Sequence, residues 1–540
     1  MLAARLAEDP KVSVCLVEAG GNGRSPFITM PAGNGFIFGN PNFDWMLEST
    51  PQEGLGNRRI YYPRGKGIGG SSLLNGMIYI RGNSRDFDHW HQLGLEGWSY
   101  EDVLPYFKRA EGAPHRGKHY HGHNGPLKLT PAANYDTLSK IFVDATQQAG
   151  AKYNPDFNGE FQSGVGRYDV TVVRGKRQSA AAAYLSHLPT NLEILTGAHV
   201  VNVKLSKDRA IGIEILSNGA SQILYAEREV ISCLGAFGSP QLLMLSGIGP
   251  AEHLRTVGIK PHIDRPGVGN SLQDHPVMPV QYKLLDASLS LARFQRIDRA
   301  IGLGLQYLLT HDGPGAAPFW STALFHLLTD TDFPELQVNF TPMVVKEEAA
   351  SMGWSIQNFM NLGSTLLARG KMAIPGVQFD INLLHPKSQG QLRLASANPT
   401  ASPLIDPSYF TEPVDLAKLV AGVRHIRDVA NQSAFRGALG EEVSPSAECQ
   451  TKSEIATAIR REVTTGHHPV STCRMGPKSD PNAVIGANFK VRGTENLRVV
   501  DASAFPTQIS GNVNAAIIMM AERAADFILG NSDLSGKKDI

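Results

Sequence analysis

Residues 63–82 have the sequence PRGKGIGGSSLLNGMIYIRG, a glycine-rich bend that passes directly into an apolar run. Glycines such as Gly69 and Gly70 admit backbone conformations that other residues avoid, so successive N–H groups can point at a phosphate or a flat ring. Arg64 and Lys66 add positive charge. The simplest interpretation is a surface loop, but no polar spacer separates the bend from the apolar run. The stretch therefore predicts a loop held against the interior and close to a ligand.

Length and composition limit the class of protein. At 540 residues the chain exceeds the size of one hydrophobic core, which predicts two domains. Its 51 basic and 50 acidic residues nearly cancel, so no charge pattern indicates a nucleic acid partner. The four cysteines form neither a disulfide framework nor a metal spacing, and no apolar run is long enough to span a bilayer. We predict a cytoplasmic enzyme that either stays in solution or lies at the periphery of a membrane.

The N-terminal residues indicate part of a dinucleotide-binding unit. Residues 12–17 predict a buried strand that ends at Glu18. An acidic residue at the end of the second strand of such a unit accepts hydrogen bonds from ribose hydroxyls. The first strand and the glycine turn of the unit do not occur ahead of it, because the sequence starts within the first predicted helix. We therefore expect the natural chain to carry further residues before Met1.

A second strand meets a glycine turn near the middle of the chain. Residues 229–233 predict a strand that runs into a turn at Gly235 and then into a helix with Pro240 at its first position. The N-terminal amides of a helix favour an anion. The segment therefore predicts a second contact with a phosphate-bearing ligand.

Two segments near the C-terminus carry polar side chains suited to chemistry. Residues 464–476, TTGHHPVSTCRMG, place His467 beside His468, and neighbours on an extended chain point to opposite sides, so only one is expected to face a pocket. Residues 510–514, SGNVN, open the last predicted helix. The simplest role of Asn512 or Asn514 is an N-cap worth about 1 kcal/mol.

These motifs, in this order, resemble the signatures of the glucose-methanol-choline (GMC) flavoprotein oxidoreductases. The resemblance implies an α/β fold (α+β overall), in which a Rossmann-like FAD-binding domain is interleaved with an antiparallel-sheet substrate domain. It places the FAD-binding domain at residues 1–30, 185–285 and 480–535, an FAD-covering segment at residues 31–100, and the substrate-binding domain at residues 101–184 and 286–479. In the last of these, Phe319, Trp320 and Phe325 are candidates for lining the substrate pocket.

The resemblance also assigns roles to single residues. Leu74 stands where some relatives carry the histidine that tethers the flavin, so FAD is expected to bind non-covalently. No metal site is expected, because neither cysteine nor carboxylate joins the histidine-rich segment 115–123. Val200 is equally compatible with a plain core position. The expected FAD contacts are Glu18, Gly69, Gly70, Ser71, Asn75, Gly76, Val200, Gly235, Asp501, Ala502 and Asn514.

The implied reaction is the oxidation of a small-molecule alcohol to an aldehyde or ketone, as in choline and alcohol dehydrogenases. By resemblance, His468 is the base that takes the hydroxyl proton, and Asn512 is its partner. The electron acceptor, a quinone, a dye-like carrier or oxygen, stays open, and His467 favours a dehydrogenase over an oxidase. Two alternatives remain at this point: non-oxidative lyase or light-driven flavin chemistry on the same fold, and a truncated, catalytically silent protein.

Overall fold

The computed structural model describes residues 1–133, 136–295, 297–329, 333–345, 373–531 and 534, so residues 346–372 of the predicted substrate domain lie outside the described residues. The α-helices of these described residues are Leu2–Leu6, Pro26–Thr29, Ser84–Gln92, Tyr100–Ala110, Thr137–Gln148, Ala180–Tyr184, Gly235–Leu245, Ala251–Thr256, Ile297–Thr310, Pro413–Ala430, Lys452–Glu462 and Asn514–Leu529. Within the described part of the chain, none of them combines the length and the apolar character that crossing a bilayer requires.

The largest sheet is antiparallel and has seven strands. We call it the roof sheet. Alternate residues of its central strands are apolar and buried, as at Val338 and Phe379, so one face of the sheet is apolar. Phe142, on the helix Thr137–Gln148, covers that face by stacking on Phe340 with ring centroids 4.8 Å apart. The strands follow one another in the order Leu439–Ser444, Pro276–Leu284, Gly376–Leu383, Leu336–Thr341, Thr322–His326 and Gly164–Arg167, with Thr464–Thr465 paired to Pro276–Leu284.

Parallel strand pairs form the dinucleotide-binding part. Strand Val14–Glu18 lies beside Leu192–Thr196, and strand Val230–Ser232 lies beside Leu497–Val499. An antiparallel sheet of Ala198–Ser206, Arg209–Ser217 and Ala220–Tyr225 stands next to them in sequence. The fold is therefore the predicted mixture of α-helices and β-strands, with an antiparallel sheet in the substrate part.

A buried carboxylate connects the N-terminal helix with the C-terminal one. Glu522 is fully buried on the helix Asn514–Leu529. Its oxygens accept hydrogen bonds from Arg5 Nε at 2.9 Å, Arg109 Nε at 2.7 Å and the Tyr184 hydroxyl at 2.7 Å. The Glu522 side chain therefore connects four helices by hydrogen bonds.

The helix after Gly235 begins earlier than predicted. It spans Gly235–Leu245, so Pro240 lies inside it and not at its first position. Proline has no N–H to donate to the carbonyl four residues before it. The Thr472 hydroxyl, 2.5 Å from the Ala236 oxygen, donates there instead. A partner from a distant segment therefore lets the helix continue through Pro240.

The last helix begins at Asn514 without the capping that the sequence suggested. Its N-cap residue is Val513, and no side chain caps the helix. The N-cap interpretation of the two asparagines is therefore wrong, and the Asn512 side chain is free for the contacts described below.

Candidate active site

One cavity of about 2030 Å³ runs from the N-terminal strand to the roof sheet. Pockets for a single small molecule are typically about 300–1,000 Å³, so this cavity has room for a dinucleotide and a substrate. Every residue expected to contact FAD or to act in catalysis lines it: Glu18, Gly69, Gly70, Ser71, Asn75, Gly76, Val200, Gly235, His468, Asp501, Ala502, Asn512 and Asn514. Their individual roles remain predictions.

The glycine-rich bend presents bare backbone to the cavity. Gly70 has φ +55° and Gly235 has φ +79°, and a Cβ added at either would meet no protein atom within 4 Å. Gly65 is required for a different reason, since a Cβ there would lie 2.2 Å from the Gly70 oxygen. The loop is packed against the interior, as its sequence indicates.

A buried arginine, which the sequence analysis did not single out, holds this bend in place. Arg177 Nη1 donates to the Asn75 backbone oxygen at 2.6 Å and to its side-chain oxygen at 2.8 Å. Nε donates to the Ile28 oxygen at 3.0 Å. Burial lowers the pKa of Arg177 to about 9. An isolated arginine in a sequence gives no signal of such a role, because all these partners are distant in the chain.

Two carboxylates stand at strand ends beside the cavity. Glu18 Oε1 accepts from the Gly20 N–H at 2.7 Å, and burial raises the pKa of Glu18. Asp501 accepts from the Gly235 N–H at 2.9 Å and from the Ser239 and Ser503 hydroxyls at 2.5 and 2.6 Å. The Asp501 carboxylate is thus committed to holding the Gly235 turn.

Strand pairing brings His468 to the cavity. The pairs Pro276↔Thr465 and Val277↔Thr464 place the residues just before Pro276 opposite those just after Thr465. The Asp274 carboxylate then accepts from the His468 N–H at 2.8 Å. The backbone of the predicted base is therefore fixed to the edge of the roof sheet.

The His468 ring contacts two side chains. Its Nε2 lies 3.1 Å from Asn512 Nδ2, and its Nδ1 lies 3.0 Å from His275 Nδ1. Gln337 Nε2 donates to Asn512 Oδ1 at 3.1 Å, which orients the amide with its nitrogen toward His468. The structure thus brings together the two residues predicted for catalysis, and it adds His275 and Gln337, which the sequence analysis missed.

Desolvation by the surrounding protein keeps both adjacent histidines neutral, although His467 is exposed at the cavity. Desolvation lowers the pKa of His468 well below its ordinary value and that of His467 to about 3, and the neighbouring Arg64 cation acts in the same direction. Both rings are therefore neutral near pH 7. The prediction that only one of them faces a pocket is wrong, since both residues line the cavity. His467 has φ +63°, so the chain is not extended there and the alternation of sides fails.

The roof sheet turns a polar face toward the cavity. The residues that line the cavity alternate with apolar residues that do not, such as Phe340 and Phe379. The lining residues are Asn339 and Thr341 of one strand and Gln378, Asp380 and Asn382 of its neighbour. The alternation of polar and apolar residues is visible in both strand sequences. The sequence alone does not show which face meets the cavity, because that depends on the strand pairing.

Asp380 and the predicted aromatic residues meet at this face. Asp380 accepts from Gln378 Nε2 at 2.7 Å and from Trp320 Nε1 at 3.3 Å, and burial raises the pKa of the carboxyl. Phe319 and Trp320 line the cavity as predicted. Phe325 does not, because it is buried against Phe157 with ring centroids 4.9 Å apart.

Histidines of the segment 115–123 pair with carboxylates outside the cavity. His121 Nδ1 lies 2.9 Å from Glu111 Oε1, and Nε2 lies 2.8 Å from Asp156 Oδ2. His115 contacts Asp169 at 2.9 Å. The expectation that no carboxylate joins these histidines is therefore wrong, since three carboxylates come to them from elsewhere in the chain.

The residues present fit FAD. Bare glycine backbone at two turns suits a pyrophosphate, Glu18 at the end of a parallel strand suits a ribose, and the helix N-terminus at Asn514 suits a negatively charged ring. All of them line the same cavity as His468.

Comparison with known proteins agrees with this geometry. The GMC oxidoreductase family model matches residues 14–277 with its N-terminal part and residues 386–521 with its C-terminal part. The chain belongs to the GMC oxidoreductase family. The oxygen-dependent choline dehydrogenase of Brucella ovis is 37% identical over 537 residues, covering 99% of this chain and 94% of that protein. The protein of the same name from Rhizobium etli is 38% identical over 541 residues, with the same coverage.

Solved structures show the same fold. Pyridoxine 4-oxidase from Mesorbium loti superposes with a TM-score of 0.85 at 29% identity, covering 98% of this chain and 97% of that one. An FAD-dependent oxidoreductase from Chaetomium thermophilum gives a TM-score of 0.83 at 25% identity, with the same coverage. This GMC oxidoreductase therefore uses FAD and oxidises a CH–OH group of a small molecule, which confirms the predicted family, cofactor and reaction class.

Proposed function

We propose that His468 accepts the hydroxyl proton of the alcohol and that Asn512 donates a hydrogen bond to the same oxygen. The observation that carries this proposal is the 3.1 Å separation of His468 Nε2 and Asn512 Nδ2 at the cavity wall. An alcohol carbon releases hydride only as its hydroxyl proton leaves, so the reaction needs a neutral base at that oxygen. Burial keeps His468 neutral, and the amide N–H stabilises the developing negative charge.

The remaining roles are those of binding and orientation. FAD, when bound, supplies the ring that accepts the hydride. Gly69, Gly70 and Ser71 would hold it on one side of the cavity, and Val200 and Ala502 would complete its walls. The roof sheet closes the cavity from the opposite side and would orient the alcohol carbon.

The test is the variant His468→Ala, compared with His425→Phe as a control. His425 is another histidine of low pKa, but it stacks on His326 away from the cavity lining. Anaerobic stopped-flow mixing with alcohol in the dark should show flavin reduction slowed about 100-fold or more in His468→Ala, with FAD content unchanged. Equal rates in the two variants would remove His468 from this role. Reduction by alcohol in the dark also separates oxidation from lyase or light-driven chemistry.

We also propose that the alcohol carries a cationic nitrogen that binds Asp380. Among the described residues, no lysine or arginine pairs with this carboxylate, whose contacts are an amide and an indole N–H. A buried carboxylate without a counter-charge is stabilised by a cation, and the Trp320 ring beside it suits the same ligand. Relatives named for choline and pyridoxine, both nitrogen-containing alcohols, support this class.

A pair of substrates tests this proposal. Choline and 3,3-dimethylbutan-1-ol have the same shape but differ in charge. The wild type should favour the cation, and Asp380→Asn should raise the KM for the cation about 10-fold or more, which corresponds to about 1.4 kcal/mol, with little change for the neutral alcohol. Equal effects on both substrates would contradict the assignment.

For cellular location we propose peripheral contact with a membrane from the cytoplasm. Ile301, Leu305 and Leu309 are exposed along one face of the helix Ile297–Thr310, and the exposed Arg299 adds positive charge. Such a helix suits an anionic lipid surface. The holoenzyme should sediment with vesicles containing anionic lipid, and Leu309→Glu should release it.

For the electron acceptor we propose a dye-like carrier or a quinone. Such an acceptor should support faster turnover than oxygen, and the reverse order would identify an oxidase.

A further inference from the structure

We infer that His275 is a positioning residue that fixes the tautomer of His468, so that the bare Nε2 of His468 faces the alcohol. This inference rests on the proposed role of His468 as the base. His275 is fully buried and does not line the cavity, so it acts through His468 and not on the substrate.

The donors and acceptors around His275 leave one neutral arrangement. Its Nε2 lies 2.9 Å from the Leu384 oxygen and 3.1 Å from the Ile509 oxygen. Carbonyl oxygens only accept, so Nε2 must carry the hydrogen. Nδ1 of the neutral ring is then a lone pair, and His468 Nδ1, 3.0 Å away, must donate to it. Because a neutral imidazole has a single N–H, Nε2 of His468 is left without a hydrogen.

The opposite side of the His468 ring is compatible with the same tautomer. Asn512 Nδ2 lies 3.1 Å from His468 Nε2, and the amide nitrogen donates. The orientation of this amide is set by Gln337, whose Nε2 donates to Asn512 Oδ1 at 3.1 Å. A donor therefore faces Nε2 from one side while an acceptor faces Nδ1 from the other. Because Asn512 is proposed to donate to the alcohol oxygen, the contact that keeps His468 in this tautomer is the one with His275.

The backbone holds the two histidines in the geometry that this bond needs. The Gly466 N–H donates to the His275 oxygen at 2.7 Å, which continues the pairing between Pro276 and Thr465. The ring planes of His275 and His468 meet at 79°, with centroids 5.1 Å apart, so the rings contact at their edges and do not stack. An edge contact directs one ring nitrogen at the other.

His275 stays neutral while His468 changes charge. Burial lowers the pKa of His275 to about 4, with His385 acting in the same direction and Asp274 opposing it. Arg64 and His467 face the His468 side of the pair. When His468 accepts the hydroxyl proton at Nε2, it still donates Nδ1–H to His275. The proton therefore stays on His468 at the cavity, from which it can leave to solvent, and is not passed into the interior.

The experiment compares His275→Phe, which removes the acceptor, with His275→Gln, which retains both an acceptor and a donor. His425→Phe is the control for loss of a buried histidine. In an enzyme with a Ser-His-Asp triad, the wrong tautomer costs about 10⁴ in rate, so we expect flavin reduction in His275→Phe to slow by at least 10-fold. In His275→Gln it should stay within 10-fold of wild type, and the KM for the alcohol and the FAD content should change little in all three variants.

A second measurement does not depend on turnover. In holoenzyme labelled with ¹⁵N-histidine, the His468 signals, assigned by their absence in His468→Ala, should show a protonated Nδ1 and a bare Nε2. In His275→Phe both tautomers should appear. An Nε2–H tautomer in the wild type, or wild-type reduction rates in His275→Phe, would overturn the inference. Full activity of His468→Ala would instead refute the proposed base and leave the tautomer result standing on its own.

Discussion

Replacing Asn512 with aspartate exchanges a hydrogen-bond donor for an acceptor next to the proposed base His468. In the wild type the Asn512 amide nitrogen donates toward His468 Nε2 at 3.1 Å, and Gln337 donates to the amide oxygen. In Asn512→Asp a second acceptor oxygen faces the bare Nε2. A carboxylate at this distance favours the imidazolium and raises the pKa of the histidine by roughly 1 to 3. The variant therefore loses a donor to the substrate oxygen and also holds a proton on the base.

Both losses have an expected size. Removal of one donor to a developing oxyanion costs about 10²–10³ in rate, or about 2.7–4 kcal/mol. Because burial lowers the pKa of His468, the wild-type rate of flavin reduction should stay constant from alkaline pH to below 6.5. In Asn512→Asp the raised pKa of His468 should make the rate begin to fall at a higher pH than in the wild type, because the imidazolium persists up to that pH.

The assay is anaerobic stopped-flow reduction of the flavin by alcohol between pH 5 and 9. Asn512→Ala serves as the matched control, because it removes the donor without adding charge. Flavin reduction in Asn512→Ala should be slower than in the wild type by the same factor of about 10²–10³. The pH at which its rate begins to fall should match that of the wild type. Identical pH profiles for the two variants would refute the adjacency of Asn512 and the base.

Three further outcomes follow from the packing. In Gly76→Ala the new Cβ would lie 2.9 Å from the Trp320 ring, and such overpacking costs about 1–3 kcal/mol. Steady-state kinetics should therefore show a raised KM for the alcohol at full FAD content. An unchanged KM would contradict this. Glu522→Ala should cost about 1–3 kcal/mol in the free energy of unfolding, because it removes a buried acceptor of three hydrogen bonds, although both of its arginines retain a second carboxylate. A loss below about 0.5 kcal/mol by denaturant titration would exclude the role. Glu18→Ala should weaken FAD binding about 10-fold in equilibrium dialysis, whereas an equal dissociation constant would remove Glu18 from the site.

Residues whose chemistry is local could be found from the sequence. Glycine turns such as the one at Gly70, and the strand that ends at Glu18, have recognisable sequence patterns, and both reach the cavity. The position of the last predicted helix also followed from local sequence, and the structure places this helix at Asn514–Leu529. In these cases the residues that decide the structure are neighbours in the chain.

Residues whose role depends on distant partners could not be found in this way. The start of the helix at Gly235 depends on Thr472, and the side that His467 faces depends on its left-handed backbone. Asp380 was visible as one polar residue in an alternating strand, but its access to the cavity depends on strand pairing. His275 likewise gains its partner only from the register of the roof sheet.

The bond between His275 and His468 joins residues 193 positions apart, which affects how the enzyme is made. A ribosome adds roughly 5–20 residues per second, so His275 emerges about 10 to 40 s before its partner. During that interval the strand Pro276–Leu284 lacks the neighbours Leu439–Ser444 and Thr464–Thr465 and exposes an open edge, the kind of surface that recruits other chains. Newly synthesised molecules should thus depend on chaperones until the final quarter of the polypeptide has been translated.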